Sequence, residues 1–103
     1  YETVIATSRT WKGAERLMYV LGATKTDHLA SIRALAPKSF FLVPGVGAQG
    51  GDLASVFHAA ANEDVGLLVN SSRSIIFASS GDDYADAART AAMDLQQQMK
   101  KLL

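Results

Sequence analysis

The sequence predicts an α/β fold built on a parallel sheet, and three observations carry that prediction. Short apolar runs recur along the chain, amphipathic stretches of helical period lie between them, and the runs are continuous rather than alternating. Continuous runs mark strands buried on both faces, as in parallel sheets covered by helices; a strand with one wet face alternates apolar and polar residues. The runs begin at Leu17, Phe40 and Gly66, so successive starts are 23 and 26 residues apart, a spacing typical of βα units.

The elements follow in order. The opening residues, with Val4, Ile5 and Trp11, are expected to form the end of a helix. Leu17-Met18-Tyr19-Val20-Leu21 reads as the first strand, ended by Gly22. Thr26 is placed to cap a helix whose apolar positions are Leu29, Ile32 and Leu35, closed by Pro37. Phe40 to Val43 reads as the second strand. Asp52 is placed to cap the next helix, with Leu53, Val56, Phe57 and Ala60 on one face. Gly66 to Asn70 reads as the third strand. The final segment sets Tyr84, Ala88, Ala91, Leu95, Met99 and Leu102 on one stripe. Ser80 and Asp83 stand at capping-box spacing before it, and Lys100 and Lys101 suit its negative carboxyl end.

A parallel sheet of three strands has two unpaired edges and little core. Residues 1–103 are therefore expected to be a single fragment of a larger α/β protein: a partial TIM (β/α)8 barrel of about three βα units. The lack of an initiator methionine agrees with that expectation.

Composition removes several function classes. Ten Lys and Arg balance ten Asp and Glu, so there is no broad basic footprint for nucleic acid or an anionic membrane surface. No apolar run approaches the roughly twenty residues that span a bilayer. There is no cysteine, which excludes disulfides, thiolate catalysis and a zinc-thiolate site. The expectation is a cytoplasmic protein without a cofactor. His28 and His58 fall in helical patterns, away from strand ends and without a matched carboxylate spacing; neither is expected to act as a base or bind a metal. Trp11 and Tyr19 are expected in the core. Arg9, Lys12, Arg16, Lys100 and Lys101 are expected on solvated faces.

The most informative stretch is Pro44-Gly45-Val46-Gly47-Ala48-Gln49-Gly50-Gly51-Asp52. It follows a strand and precedes a helix, at the carboxyl-end rim where α/β proteins bind ligands. Glycines let the backbone approach an anion, and a helix amino terminus adds partial positive charge. Gly45, Gly47 and Gly50 satisfy the dinucleotide fingerprint literally. Pro44 interrupts it, however, and Asn70 stands where an acidic residue is expected. A glycine-rich turn without any ligand is the blander alternative. One βα unit later comes Asn70-Ser71-Ser72-Arg73-Ser74. An arginine at a strand's carboxyl end can fork two N–H bonds to a phosphate. Barrels commonly build such sites from the loops after strands seven and eight and a short extra helix; Ile75 to Ser79 is the expected position of that helix.

These two motifs, in this order, resemble orotidine 5'-monophosphate decarboxylase, in the bacterial branch reading Pro-Gly-x-Gly-Ala-Gln-Gly-Gly and then Asn-Ser-Ser-Arg. Val20-Leu21-Gly22-Ala23-Thr24 is similar to that family's sixth strand and its exit. The resemblance covers the chain as strands six to eight of the barrel. It implies a site in which Gln49 bridges the phosphate and the pyrimidine O2, and Arg73 grips the phosphate. Backbone N–H groups around Gly50, Gly51, Ser72 and Arg73 would assist, and Pro44 would pack near the pyrimidine. Ser74 departs from the glycine that many relatives carry. The larger departure is an absence. The family decarboxylates with an Asp-x-Lys-x-x-Asp cluster, and no such spacing exists here: Lys25 and Asp27 are preceded by Ala23, and Asp82, Asp83 and Asp86 enclose no lysine.

The resemblance thus implies the phosphate-binding part of an enzyme converting OMP to UMP and CO2, the last step of UMP biosynthesis, inactive alone. Its expected partners are a nucleoside monophosphate and copies of itself, joined through exposed edges. The alternatives are a non-catalytic nucleotide-binding or self-associating half-barrel, or another phosphate-handling barrel such as hexulose-phosphate synthase.

Overall fold

A computed structural model of the chain describes residues 1–47 and 52–103. Helix α1 (Glu2–Ser8) and a 3-10 turn (Ala14–Arg16) lead into β1 (Tyr19–Val20). Then come α2 (Thr26–Leu35), β2 (Phe41–Pro44), α3 (Leu53–Ala60), β3 (Leu67–Asn70), the short α4 (Arg73–Ile76) and α5 (Tyr84–Leu102). Among the described residues the strands form one three-stranded sheet in the order β1-β2-β3. Both pairings are parallel, with Tyr19 opposite Phe41, Phe41 opposite Leu67, and Pro44 opposite Asn70. The first strand is shorter than its apolar run, but its ladder runs on. Leu21 N–H donates to the Leu42 carbonyl at 2.9 Å and Ala23 N–H to Pro44 at 3.4 Å.

The core lies on one side of this sheet. Phe41 and Val43 of β2 are fully buried against Leu29 and Ile32 of α2 and Val56 and Ala60 of α3, with Ile5 of α1 in the same cluster. The opposite side is open. Val20 is 68% exposed and Leu68 47%, and Leu42 in register between them is half-buried; Met18 and Phe40 are exposed nearby. The expectation of strands buried on both faces therefore holds for one face only. The apolar runs supply side chains to both sides, but this chain brings helices to one. The molecule is correspondingly elongated, with a radius of gyration of 15.4 Å against about 13 Å for a compact domain of this length.

Several sequence expectations shift in detail. Thr26 is the first helical residue of α2, and Lys25 takes the cap position without a side-chain bond. Leu35 is exposed; the buried stripe is Leu29, Ile32, Arg33 and Ala36. Asp52 does cap α3, its Oδ2 accepting from Ser55 N–H at 2.9 Å and from Ser55 Oγ at 2.6 Å. Before α5 the turn runs on to Asp83, which becomes the cap residue, and Ser79 rather than Ser80 bonds it: Ser79 Oγ donates to Asp83 Oδ1 at 2.5 Å. Along α5, Leu95, Met99 and Leu102 pack on the core as expected, whereas Tyr84 is exposed. Trp11 is 58% exposed rather than in the core, because α1 ends at Ser8 and the following turn carries it outward. Tyr19 is half-buried, its hydroxyl 2.8 Å from Ser8 Oγ. His58 is exposed, one position off the buried face of α3.

Sequence patterning gives no role to Arg33, which is 9% exposed and sits beneath the amino ends of β2 and β3. Its Nε donates to the Ala60 carbonyl at 2.6 Å, Nη1 to Ser39 at 2.6 Å and Ala36 at 3.0 Å, and Nη2 to Gly66 at 3.0 Å. The guanidinium lies 3.7 Å from the centre of the Phe41 ring. A planar fork of five N–H donors can do this where no other side chain can. One residue thereby ties together the ends of α2 and α3 and the starts of β2 and β3. Burial lowers its pKa from the ordinary arginine value.

The α3–β3 connection is a tight turn closed by reciprocal Asn62 and Val65 backbone bonds of 3.1 and 3.0 Å. It holds Val65 at φ 68° and Gly66 at φ 64°.

Candidate functional site

Parallel pairing brings the exits of β2 and β3 side by side at one rim. A cleft of about 240 Å³ opens there, lined by Pro44, Gly45 and Val46 from one exit and Asn70, Ser71, Ser72 and Arg73 from the other. Val46 is buried in the core and anchors the turn after β2. Gly45 and Gly47 on either side of it take φ of 87° and 83°, a left-handed backbone that favours glycine. The turn thus folds back over the strand end without side chains that would fill the cleft.

The β3 exit supplies the charge. Arg73 is the first residue of α4, so the short extra helix begins two residues before its expected position at Ile75 and ends at Ile76. Its side chain is exposed and joins no ion pair or hydrogen bond among the described residues. Ser72 precedes it as the cap residue, its hydroxyl making no cap bond. Ser71 and Ser74 hydrogen-bond to each other through their hydroxyls. Behind the cleft, Gly47, Asp52, Ser71 and Ser74 face Asp94 and Gln98 of α5 across a second cavity of about 330 Å³. Asp52 is held below the ordinary carboxylate range, first by the Ser55 hydroxyl and then by backbone N–H donation. It therefore remains an ionised cap.

Of the residues singled out from sequence, Pro44, Ser72 and Arg73 converge on this one cleft. Gln49, Gly50 and Gly51 lie outside the described residues. Lys25 and Asp27 are exposed at the start of α2. Sequence reasoning overlooked Asn70 as a lining residue, although it quoted the motif that begins with it. No helix among the described residues is long and apolar enough to cross a membrane.

A parallel sheet with helices on one face and a cleft with one charged lining residue at its carboxyl rim suit part of an α/β barrel. Comparison with known proteins agrees. No family model matches the chain. The orotidine 5'-phosphate decarboxylase of Flavobacterium johnsoniae is 52% identical over 103 residues, all of this chain and 38% of that protein. Among solved structures, Leishmania donovani UMP synthase matches with a TM-score of 0.72 at 35% identity, over 94% of this chain and 22% of that one. The OMP decarboxylase of the same organism gives 0.67 at 33% identity, over 87% and 34%. The chain belongs to the orotidine 5'-phosphate decarboxylase family and corresponds to the carboxyl-terminal portion of its members. It spans 38% of the length of the first of these relatives.

Proposed function

We propose that this chain is the phosphate-gripping part of an orotidine 5'-phosphate decarboxylase, and that its cleft takes the phosphate of OMP or UMP. The observation that carries this reading is the convergence of a glycine turn and an arginine, without a partner among the described residues, on one rim cleft. Arg73 supplies the charge and a planar pair of donors to the phosphate. Pro44 gives an apolar wall for the pyrimidine, and Ser72 adds a hydroxyl or backbone donor. Gln49, Gly50 and Gly51 follow the turn directly in sequence; in this proposal Gln49 reaches both the phosphate and the pyrimidine O2.

Decarboxylation itself needs groups preorganised around the developing carbanion. The Asp-x-Lys-x-x-Asp spacing is absent from these 103 residues. The polypeptide by itself should bind nucleotide and release no CO2 from OMP. A cytoplasmic location suits this reading. Self-association through the open sheet suits it too, since Met18, Val20, Phe40 and Leu68 are exposed and both outer strands are unpaired on one side among the described residues.

Titration with UMP tests the site. Removing a hydrogen-bond donor to a charged phosphate weakens binding by roughly ten- to a hundredfold, so Arg73→Ala and Gln49→Ala should both reduce affinity. Binding indifferent to both substitutions would remove the phosphate assignment. Robust OMP turnover by the purified chain would overturn the claim of inactivity.

A further inference from the structure

The cleft contains a polar side chain to which the phosphate reading gives no work. Asn70 ends β3 in register with Pro44, is exposed, and shares a sheet face with Leu42 and Leu68 by strand alternation. Strand formation does not call for it, because asparagine is depleted in strands and the preceding residues are Leu67, Leu68 and Val69. Its carboxamide makes no hydrogen bond among the described residues, whereas its neighbours Ser71 and Ser74 are bonded to each other. Arg73 is the one charged residue among the seven that line the cleft. A phosphate near neutral pH carries between one and two negative charges, so neutral donors must meet what Arg73 leaves. The Asn70 amide has two such donors and extends further than either serine hydroxyl.

We propose that Asn70 is a second side-chain ligand of the bound phosphate, donating from Nδ2 to a phosphate oxygen beside Arg73. The proposal rests on the reading of this cleft as a nucleoside-monophosphate site. The two side chains divide the task. Arg73 neutralises charge from a long, flexible stem. Asn70, on a short stem at the end of a paired strand, fixes where the phosphate lies relative to the sheet.

The experiment compares the unaltered chain with Asn70→Ala, Asn70→Asp and Arg73→Ala by titration with UMP and separately with inorganic phosphate. Far-ultraviolet circular dichroism serves as the folding control. Asn70→Ala should weaken both ligands by about tenfold, the usual effect of losing a hydrogen bond to a charged group. Asn70→Asp keeps the shape but replaces the donors with a negative charge, and should weaken both by about a hundredfold. Unchanged affinity in both Asn70 variants would overturn the proposal while leaving the Arg73 site standing. So would loss of UMP binding with inorganic phosphate unaffected, which would assign Asn70 to the sugar or base. If Arg73→Ala also left UMP binding unchanged, the phosphate reading would fall and this proposal with it.

Discussion

Replacing Arg33 tests what holds the lower end of this sheet together. Its guanidinium makes four bonds of 3.0 Å or less to the carbonyls of Ala60, Ser39, Ala36 and Gly66, which join the stretch 36–39 to the stretch 60–66. Each such bond contributes about 0.5–1.5 kcal/mol net, so four amount to roughly 2–6 kcal/mol. Stacking on Phe41 at 3.7 Å adds up to about 1 kcal/mol. The desolvation of a charge without a carboxylate partner opposes these gains by several kcal/mol. In an alanine variant, water entering from the open cleft beside Arg33, Pro37 and Asn62 would satisfy part of what is left. The expected loss for Arg33→Ala is therefore about 3 kcal/mol, within the range for breaking a buried charged network. Arg33→Lys, which keeps the charge but loses the fork, should lose about 2 kcal/mol. Urea unfolding followed by far-ultraviolet circular dichroism at fixed protein concentration is the assay. With a slope near 1–1.5 kcal/mol per molar urea, the alanine midpoint should fall by about 2 M. An Arg33→Met variant within 0.5 kcal/mol of the unaltered chain would refute the reasoning, since methionine fills the space and donates nothing.

Three other outcomes are expected. Asp52 has a depressed carboxyl pKa in the folded chain, so its capping contribution is present above the ordinary aspartate range and disappears as pH falls through the folded value; the stability gap between the unaltered chain and Asp52→Ala should close in acid, and a gap constant down to strongly acidic pH would contradict this. Val65, a β-branched residue at φ 68°, is strained by about 1 kcal/mol. Val65→Asn should raise the unfolding midpoint, whereas Gly66→Ala should lower it, because its Cβ would stand 2.6 Å from the Asn62 side chain; the reverse order in urea would refute the turn geometry. The chain should sediment as a dimer or larger species, and Leu68→Lys on the open face should shift it toward monomer; a cooperatively folded, monodisperse unaltered monomer would exclude self-association.

The helices and strands were legible because hydrophobic period and apolar run length are local properties. Asp52 as a cap, the Leu29–Ile32 face and the second strand, read as Phe40–Val43 and found at Phe41–Pro44, all followed from residues within one turn or one run. What was misjudged depended on partners elsewhere. Val20 and Leu68 read as buried because their runs are apolar throughout, yet nothing among the described residues covers their side of the sheet. Arg33 escaped notice because a lone arginine in a helix reads as a surface charge. Its position was nonetheless informative: with Leu29, Ile32 and Ala36 it completes the i, i+3, i+4, i+7 stripe that faces a core. In the cleft, Ser72 and Arg73 were legible from motif and strand-end position, and Pro44 only through the family resemblance. Asn70 was passed over because its motif drew attention to the arginine.

The sheet order has a kinetic consequence. Each strand pairs with the next one in the chain, so Tyr19 meets Phe41 and Phe41 meets Leu67 across separations of 22 and 26 residues. Closing loops of these two lengths differs by only about 0.15 kcal/mol of chain entropy, so neither pairing is favoured to form first on that account. Both require β2. Its Phe41 and Val43, the two sheet residues that are fully buried, make it the common step of either route. A folding nucleus centred there would make Phe41→Leu slow refolding more than it speeds unfolding, while substitutions on β1 or β3 would act mainly on the unfolding rate.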